Sequence, residues 1–136
     1  MAMLPSGLPE IVADEEDLAR FLTQSSHFNA LMAKPAAFLP SPRDRGTSVS
    51  RHGSEPRESL WAIGLAAAGE RVLHGAAIVK AGVVRSAKLT VLADEPPARH
   101  AVIGGWPWGE ADPELQKGRQ KEIAAVVASK AHLLRR

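Results

Sequence analysis

An arginine-rich loop is the first segment with residues suited to chemistry. Arg43, Arg45, Arg51 and His52 lie within ten consecutive residues. The guanidinium group is planar and presents paired N–H donors, which match the oxygens of a phosphate or a carboxylate. The spacing is therefore compatible with an anion-binding loop. Arginines are also common on solvated surface loops, where an ion pair with Asp44 would contribute little to stability.

Residues 99–109 form a second candidate segment, with a histidine close to two glycines and two tryptophans. On a strand, His100 would lie on the face opposite Arg99. A half-buried histidine there is suited to general acid–base chemistry near neutral pH. The pattern is more typical of a core-edge histidine bonded to a backbone carbonyl. Trp106 and Trp108 would either close the core or form a binding surface, where tryptophan is enriched.

Several kinds of site are excluded or unsupported. The chain has no cysteine, which rules out disulfides, thiolate zinc sites, iron–sulfur clusters and cysteine nucleophiles. It has no Gly-x-Ser-x-Gly motif and no phosphate-binding loop. The five histidines lack metal-ligand spacing, so that only distant residues such as His52, His100 and Asp94 could assemble a metal site. We therefore expect no metal and no cofactor.

Composition indicates one soluble domain. The chain has 136 residues, of which 45% are hydrophobic and 24% charged, and its formal net charge is +2. No apolar run approaches the roughly 18 residues of a membrane span, and the N-terminus lacks the pattern of a secretory signal. These features predict a cytoplasmic protein without a membrane partner. Prolines and a glycine within residues 1–13 predict a flexible lead-in to a domain formed by 14–136.

Local patterns predict the elements of the first half. An acidic run, residues 14–17, precedes apolar residues and suits the first turn of a helix near 14–23. Residues 47–51 have the composition of a short strand. A helix should then begin with Ser54 as its cap and end at Gly69.

The second half mixes helix and strand signals. From Glu70 onward, apolar residues recur at the spacing of one helix face, although glycines interrupt them and a buried strand within 76–84 is the alternative. Strands are predicted at 88–93 and 99–103, and a helix begins at Asp112 and carries its apolar side as far as Leu134. The order of elements favours an α+β fold, a small and mostly antiparallel sheet packed against three to four helices.

Four short segments together resemble a group of small bacterial proteins to which no activity is assigned. They are Phe38-Leu39-Pro40, Ser48-Val49-Ser50-Arg51, Leu60-Trp61-Ala62-Ile63-Gly64 and the stretch from Pro96 to Pro107. The last contains a His-Ala-x-Ile-x-Gly-Trp-Pro-like pattern. The resemblance covers about residues 30–130 and implies a bacterial protein in which Arg51, His100, Trp106 and Pro107 belong to the recurring pattern. It implies no catalytic role.

The first hypothesis of function is an accessory protein that binds a macromolecular partner, most simply a protein encoded nearby. Residues 99–109 and the arginine-rich loop would form one exposed face, with tryptophans giving apolar contact and arginines giving charge complementarity. The absence of catalytic motifs favours it over an enzyme. The binding residues would be Arg43, Arg45, Arg51, His100, Trp106 and Trp108.

The alternative is a metal-independent enzyme acting on a phosphorylated or nucleotide-like substrate. His52 and His100 would be its acid and base, while Arg51 and Arg99 would stabilise negative charge. Nucleic-acid binding is a third and weaker hypothesis. The last twenty residues carry six basic side chains against Glu122, but these fall on several helix faces and aromatics are scarce.

Overall fold

A computed structural model describes residues 2–52 and 55–136. It contains six strands, three α-helices and two short 3₁₀ helices, Ser25–His27 and Pro35–Phe38. The strands are β1 (Asp17–Leu22), β2 (Thr47–Arg51), β3 (Gly75–Lys80), β4 (Thr90–Ala93), β5 (His100–Gly104) and β6 (His132–Arg135). The helices are α1 (Arg57–Ala68), α2 (Ala81–Ser86) and α3 (Pro113–Ser129).

The six strands form one antiparallel sheet in the order β4-β5-β2-β1-β3-β6. This confirms the predicted α+β class with a single domain. Successive side chains of a strand point to opposite faces. On β1, Leu18 and Leu22 join the larger core with α3 and the second 3₁₀ helix, whereas Ala19 and Phe21 pack with Leu60 of α1.

Helix α1 covers only part of its sheet face. Its Leu60 packs against residues of β1 and β3, while Ser48 of β2 and Leu92 of β4 remain exposed on the same face. Gly64 allows the helix to approach β1 closely, because a Cβ there would lie 2.7 Å from a ring carbon of Phe21. The uncovered half of the sheet therefore lies open beside α1.

The predicted helix near 14–23 is wrong, because this segment contains β1. Leu18, Ala19 and Leu22 are all fully buried, and they lie on both faces of a strand that pairs with β2 and β3. Burial on both sides produces a nearly continuous apolar run, which resembles one face of a helix. Glu16 and Asp14 form ion pairs with arginines instead of capping a helix.

Two further predictions need correction. The helix expected from Glu70 is absent, because β3 occupies Gly75–Lys80 and α2 only Ala81–Ser86, so the strand alternative is confirmed over most of its length. Val72, assigned to an apolar helix face, is 65% exposed. The C-terminal helix ends at Ser129, and Leu134 belongs to β6, which pairs with β3.

Several predictions that rest on local sequence signals, and not on packing against distant residues, are confirmed. Strand β2 and the β4–β5 pair form as predicted, and the Asp112 carboxylate caps α3 by accepting from the Glu114 amide at 3.0 Å. The proposed cap Ser54 lies outside the described residues. Helix α1 ends at Ala68, and Gly69, the predicted stop, follows as its cap with a φ of +62°, which suits a residue without a side chain.

The most buried charge in the described structure is Arg51 of β2. Its guanidinium is fully buried, with Nε and Nη2 donating to the Glu16 carboxylate at 2.9 and 2.8 Å. Nη1 donates to the Pro9 carbonyl at 2.6 Å. Val12 is also buried, so the segment predicted as a lead-in contacts the core. These bonds join the N-terminal segment to the centre of the sheet.

Replacing Glu16 with glutamine should destabilise the protein by about 2–3 kcal/mol at pH 7, because the buried guanidinium loses its counter-charge. Urea unfolding followed by circular dichroism measures the change. Glu15→Gln, at an exposed neighbouring position, is the matched control and should have little effect. Equal stability of the two variants would contradict the assigned role of the pair.

The same pair predicts a pH dependence. Burial raises the pKa of Glu16, but hydrogen bonds from Arg51 and the Ala13 amide outweigh this, so that the pKa lies below its ordinary value of 4.5. A carboxylate whose pKa is lowered by folding stabilises the folded protein at pH values above its unfolded pKa. This contribution disappears as the pH falls through the folded pKa. The stability difference between wild type and Glu16→Gln should therefore shrink below pH 4.5. A constant difference down to strongly acidic pH would count against it.

Candidate functional site

The two central strands separate part of the way along the sheet. β1 and β2 are paired only at Leu18–Arg51 and Ala19–Ser50. In a continued ladder Ser48 would lie opposite Phe21. Instead the Ser48 carbonyl accepts from Nη1 of Arg20 at 3.0 Å, and Nε of Arg20 donates to the Ala37 carbonyl at 2.7 Å. A side chain thus takes the place of the missing main-chain donor.

A cavity of about 440 Å³ lies beside this separation, between the sheet and α1. Its volume is within the range of small-molecule sites, roughly 300–1,000 Å³. One wall consists of Phe21 of β1 and residues 48–50 of β2, and the other is formed by Ile63, Ala66 and Ala67 of α1. Because alanine side chains are short, this part of the helix surface leaves space above the sheet.

Four basic or imidazole side chains also line the cavity: Arg20, Arg71, His27 and His100. No aspartate or glutamate lines it within the described residues. Arg20 and Arg71 take part in none of the ion pairs found there. The cavity therefore combines apolar walls with positive charge that the protein itself does not neutralise.

The electrostatic consequence is visible in two pKa shifts. Burial lowers the pKa of Arg20, and the positive charge of Arg71 lowers it further. Burial also lowers the pKa of His27 below its ordinary value of 6.5, with a further lowering from the charge of Arg20. Like charges close enough to disfavour each other's protonated form indicate a local excess of positive potential.

Arg71 is held in place by the end of α1. Its Nε donates to the Ala68 carbonyl at 3.1 Å and its Nη2 to the Ala67 carbonyl at 3.0 Å. Nη1 donates to the hydroxyl of Thr23 at 3.4 Å. The last carbonyls of a helix lack partners within it, so a cation is favourable at this position. These contacts orient the guanidinium at the edge of the cavity.

His100 lies at the other side of the cavity. Its Nδ1 is 2.9 Å from the Asp94 carbonyl and 3.2 Å from that residue's carboxylate. A carbonyl only accepts, so Nδ1 is the donor in this contact. Ser50 lies directly opposite on β2, and its buried hydroxyl has no hydrogen-bond partner among the described residues.

The residues predicted to form one binding face are divided between two ends of the β2–β5 pair. Arg45 lies at the Thr47–Ile103 end, with its guanidinium carbon 5.3 Å from the centre of the Trp108 ring. Arg43 belongs to the same exposed loop. His100 lies at the opposite end, where it pairs with Ser50.

Two of the predicted binding residues are interior. Trp106 is 6% exposed, and its indole N–H donates to the Ile103 carbonyl at 3.2 Å, which places it in the core. Arg51 is fully buried against Glu16. Neither side chain is available to a partner in this conformation. Of the predicted face, Arg43, Arg45 and Trp108 remain together at the surface.

The four residues of the enzyme hypothesis do not line one cavity. His100 lines it, whereas His52, Arg51 and Arg99 do not. The Arg99 guanidinium donates to the carbonyls of Arg51 and His52, at 2.7 and 3.0 Å, and forms an ion pair with Glu55. It thus ties the end of β2 to the start of α1.

Arg20, His27 and Arg71 are not among the site residues predicted from the sequence. They come together because β1, the first 3₁₀ helix and the end of α1 meet at one edge of the cavity, which no local pattern encodes. One signal is present at Arg20, a charged residue in the middle of the apolar run Leu18–Leu22. A charge within a buried strand needs polar partners and so marks an irregularity in the sheet.

The described part of the chain contains neither a cluster of metal ligands nor a membrane-spanning helix. Within residues 2–52 and 55–136, no group of three or more histidine, aspartate or glutamate side chains could hold a metal ion. No helix in those ranges is both long and apolar enough to cross a membrane.

Comparisons with known protein families, with curated proteins and with solved structures give no match to this chain. The resemblance to the small bacterial group therefore stays a prediction, and the geometry of the cavity carries the functional argument.

Proposed function

We propose that the protein binds a small organic molecule in the cavity between α1 and the separated strands β1 and β2. The supporting observation is a cavity of about 440 Å³ with apolar walls and a few convergent polar groups at its edges. This combination is typical of small-molecule sites, where apolar walls supply affinity and polar groups fix orientation. The ligand's apolar body would lie between Phe21 and the alanines of α1.

Binding is favoured over the catalytic alternative by the placement of the side chains. His100 is the only residue of the proposed acid–base and anion-stabilising set that lines the cavity. Acid–base catalysis requires groups within hydrogen-bond reach of the same substrate. The buried pair of Arg51 and Glu16 and the ties of Arg99 to backbone carbonyls give those arginines structural contacts.

Binding of a macromolecular partner is a second candidate, supported by a different observation. Arg45 stacks on Trp108 at 5.3 Å, and Arg43 lies on the same exposed loop. Tryptophan and arginine are the side chains most enriched at binding hot spots. This smaller surface, Arg43, Arg45 and Trp108, replaces the six-residue face expected from sequence.

Filling the cavity should weaken binding of a neutral fluorescent probe, N-phenyl-1-naphthylamine. Ala66→Trp places an indole in the space, so affinity should fall by about tenfold or more. Ala62→Trp is the matched control, an exposed alanine one turn earlier on α1 that does not line the cavity. It should bind like wild type. Fluorescence titration measures affinity, and thermal melts verify folding.

Equal affinity of the two tryptophan variants for the probe would contradict the proposed cavity function. A probe bound elsewhere on the surface would respond to neither substitution.

Trp108→Ala tests the second candidate. The side chain is half-buried under Arg45, so its removal should leave the melting temperature nearly unchanged while reducing recovery of a partner in affinity purification. Val126→Ala, an exposed position on α3, is the control. A large loss of thermal stability would instead assign Trp108 to the core, and unchanged recovery would remove this candidate.

A further inference from the structure

We infer that the ligand of this cavity is an organic anion whose carboxylate or phosphate group binds beside the guanidinium groups of Arg71 and Arg20. This inference rests on the proposed function, because it names the chemical class of the molecule bound at the same site. It would make the cavity selective for charge as well as for size.

The first support is the charge balance of the cavity wall. Arg20 and Arg71 line it, no carboxylate does so within the described residues, and neither arginine forms an ion pair there. Among the described residues, four other arginines form ion pairs with carboxylates, and none of the four lines this cavity: Arg51, Arg85, Arg99 and Arg119. Arg20 is half-buried and Arg71 is exposed at the cavity edge. Neighbouring cations without a counter-charge repel each other, and a bound anion reduces that repulsion.

The second support is the supply of hydrogen-bond donors. A guanidinium has five N–H groups in a fixed plane. Arg20 donates through Nε and Nη1 to two carbonyls, and Arg71 uses one bond from each of its three nitrogens. N–H groups therefore remain on both side chains after their internal contacts. Those contacts also hold the two groups in place before a ligand arrives, which reduces the entropy lost on binding.

The third support is His27, which lines the same cavity. Burial and the nearby charge of Arg20 lower its pKa, and both effects disfavour the protonated ring. An anion at Arg20 would offset that charge and supply an acceptor for a protonated imidazole. A carboxylate or phosphate offers these side chains both acceptor oxygens and a compensating negative charge, whereas a neutral group offers acceptors alone and a cationic group adds to the positive charge.

A matched pair of probes tests the charge requirement. 2-Naphthoate and 2-naphthamide share their ring system and nearly their shape but differ by one negative charge. Isothermal titration calorimetry on the wild-type protein should show the carboxylate binding about tenfold more tightly, the gain of one charge-assisted hydrogen bond. 2-Naphthyl phosphate, the third probe, distinguishes the two head groups, since the tighter of the two anions identifies the natural one.

Arg71→Gln should reduce the preference for the anion to about twofold, while affinity for 2-naphthamide stays within about twofold of wild type. Arg57→Gln is the matched control, because Arg57 is an exposed arginine at the other end of α1 that does not line the cavity. It should retain the full preference. Arg71→Lys, which keeps the charge, should retain part of it.

The outcomes of these experiments distinguish a failure of this inference from a failure of the proposed function. Equal binding of the amide and both anions overturns the charge requirement and leaves the cavity as a site for neutral molecules. Binding of N-phenyl-1-naphthylamine without binding of either anion would likewise overturn the charge requirement and leave the cavity as a site for neutral molecules. A wild-type protein that binds none of these probes overturns the proposed function and this inference with it.

Discussion

The contact on which the rest of the structure depends is the pair of hydrogen bonds from Arg20 to the carbonyls of Ala37 and Ser48. They satisfy backbone groups where the ladder between β1 and β2 stops. The bond to Ala37 is partly buried and the bond to Ser48 is exposed, and both supply a donor to a carbonyl beside the point where the strands separate. The separation opens the cavity, and the guanidinium beside it becomes part of the cavity wall.

The two arginines of the central strands have opposite electrostatic situations. Arg51 is fully buried, yet Glu16 neutralises it where β1 and β2 are paired. Arg20 lies where they part and contacts only carbonyl dipoles, with Arg71 nearby as a second cation. The sheet is thus stabilised at its closed end by an internal ion pair, and its open end is left with a charge that suits an external anion.

Sequence patterns predicted the elements whose signals are local. Asp112 with Pro113 starts α3, alternation marks β5, and the strand composition of 47–51 gives β2. β1 was misread as a helix because a central strand is buried on both faces and loses its alternation. The cavity could not be predicted, since Arg20 and Arg71 come from separate elements that meet only through the sheet order and the position of α1. Trp106 and Arg51, which were expected in the binding face, are buried, because their side chains take part in internal contacts.

The most direct test of an electropositive ligand cavity is the pKa of the His27 imidazole, measured by NMR titration with and without saturating 2-naphthoate. The account predicts a pKa below 6.5 in the free protein, set by burial and by Arg20, and a higher pKa in the complex. An anion favours the protonated ring, so the rise has a fixed sign. A free pKa at or above 6.5, or no rise in a protein that has bound the probe, would contradict the account.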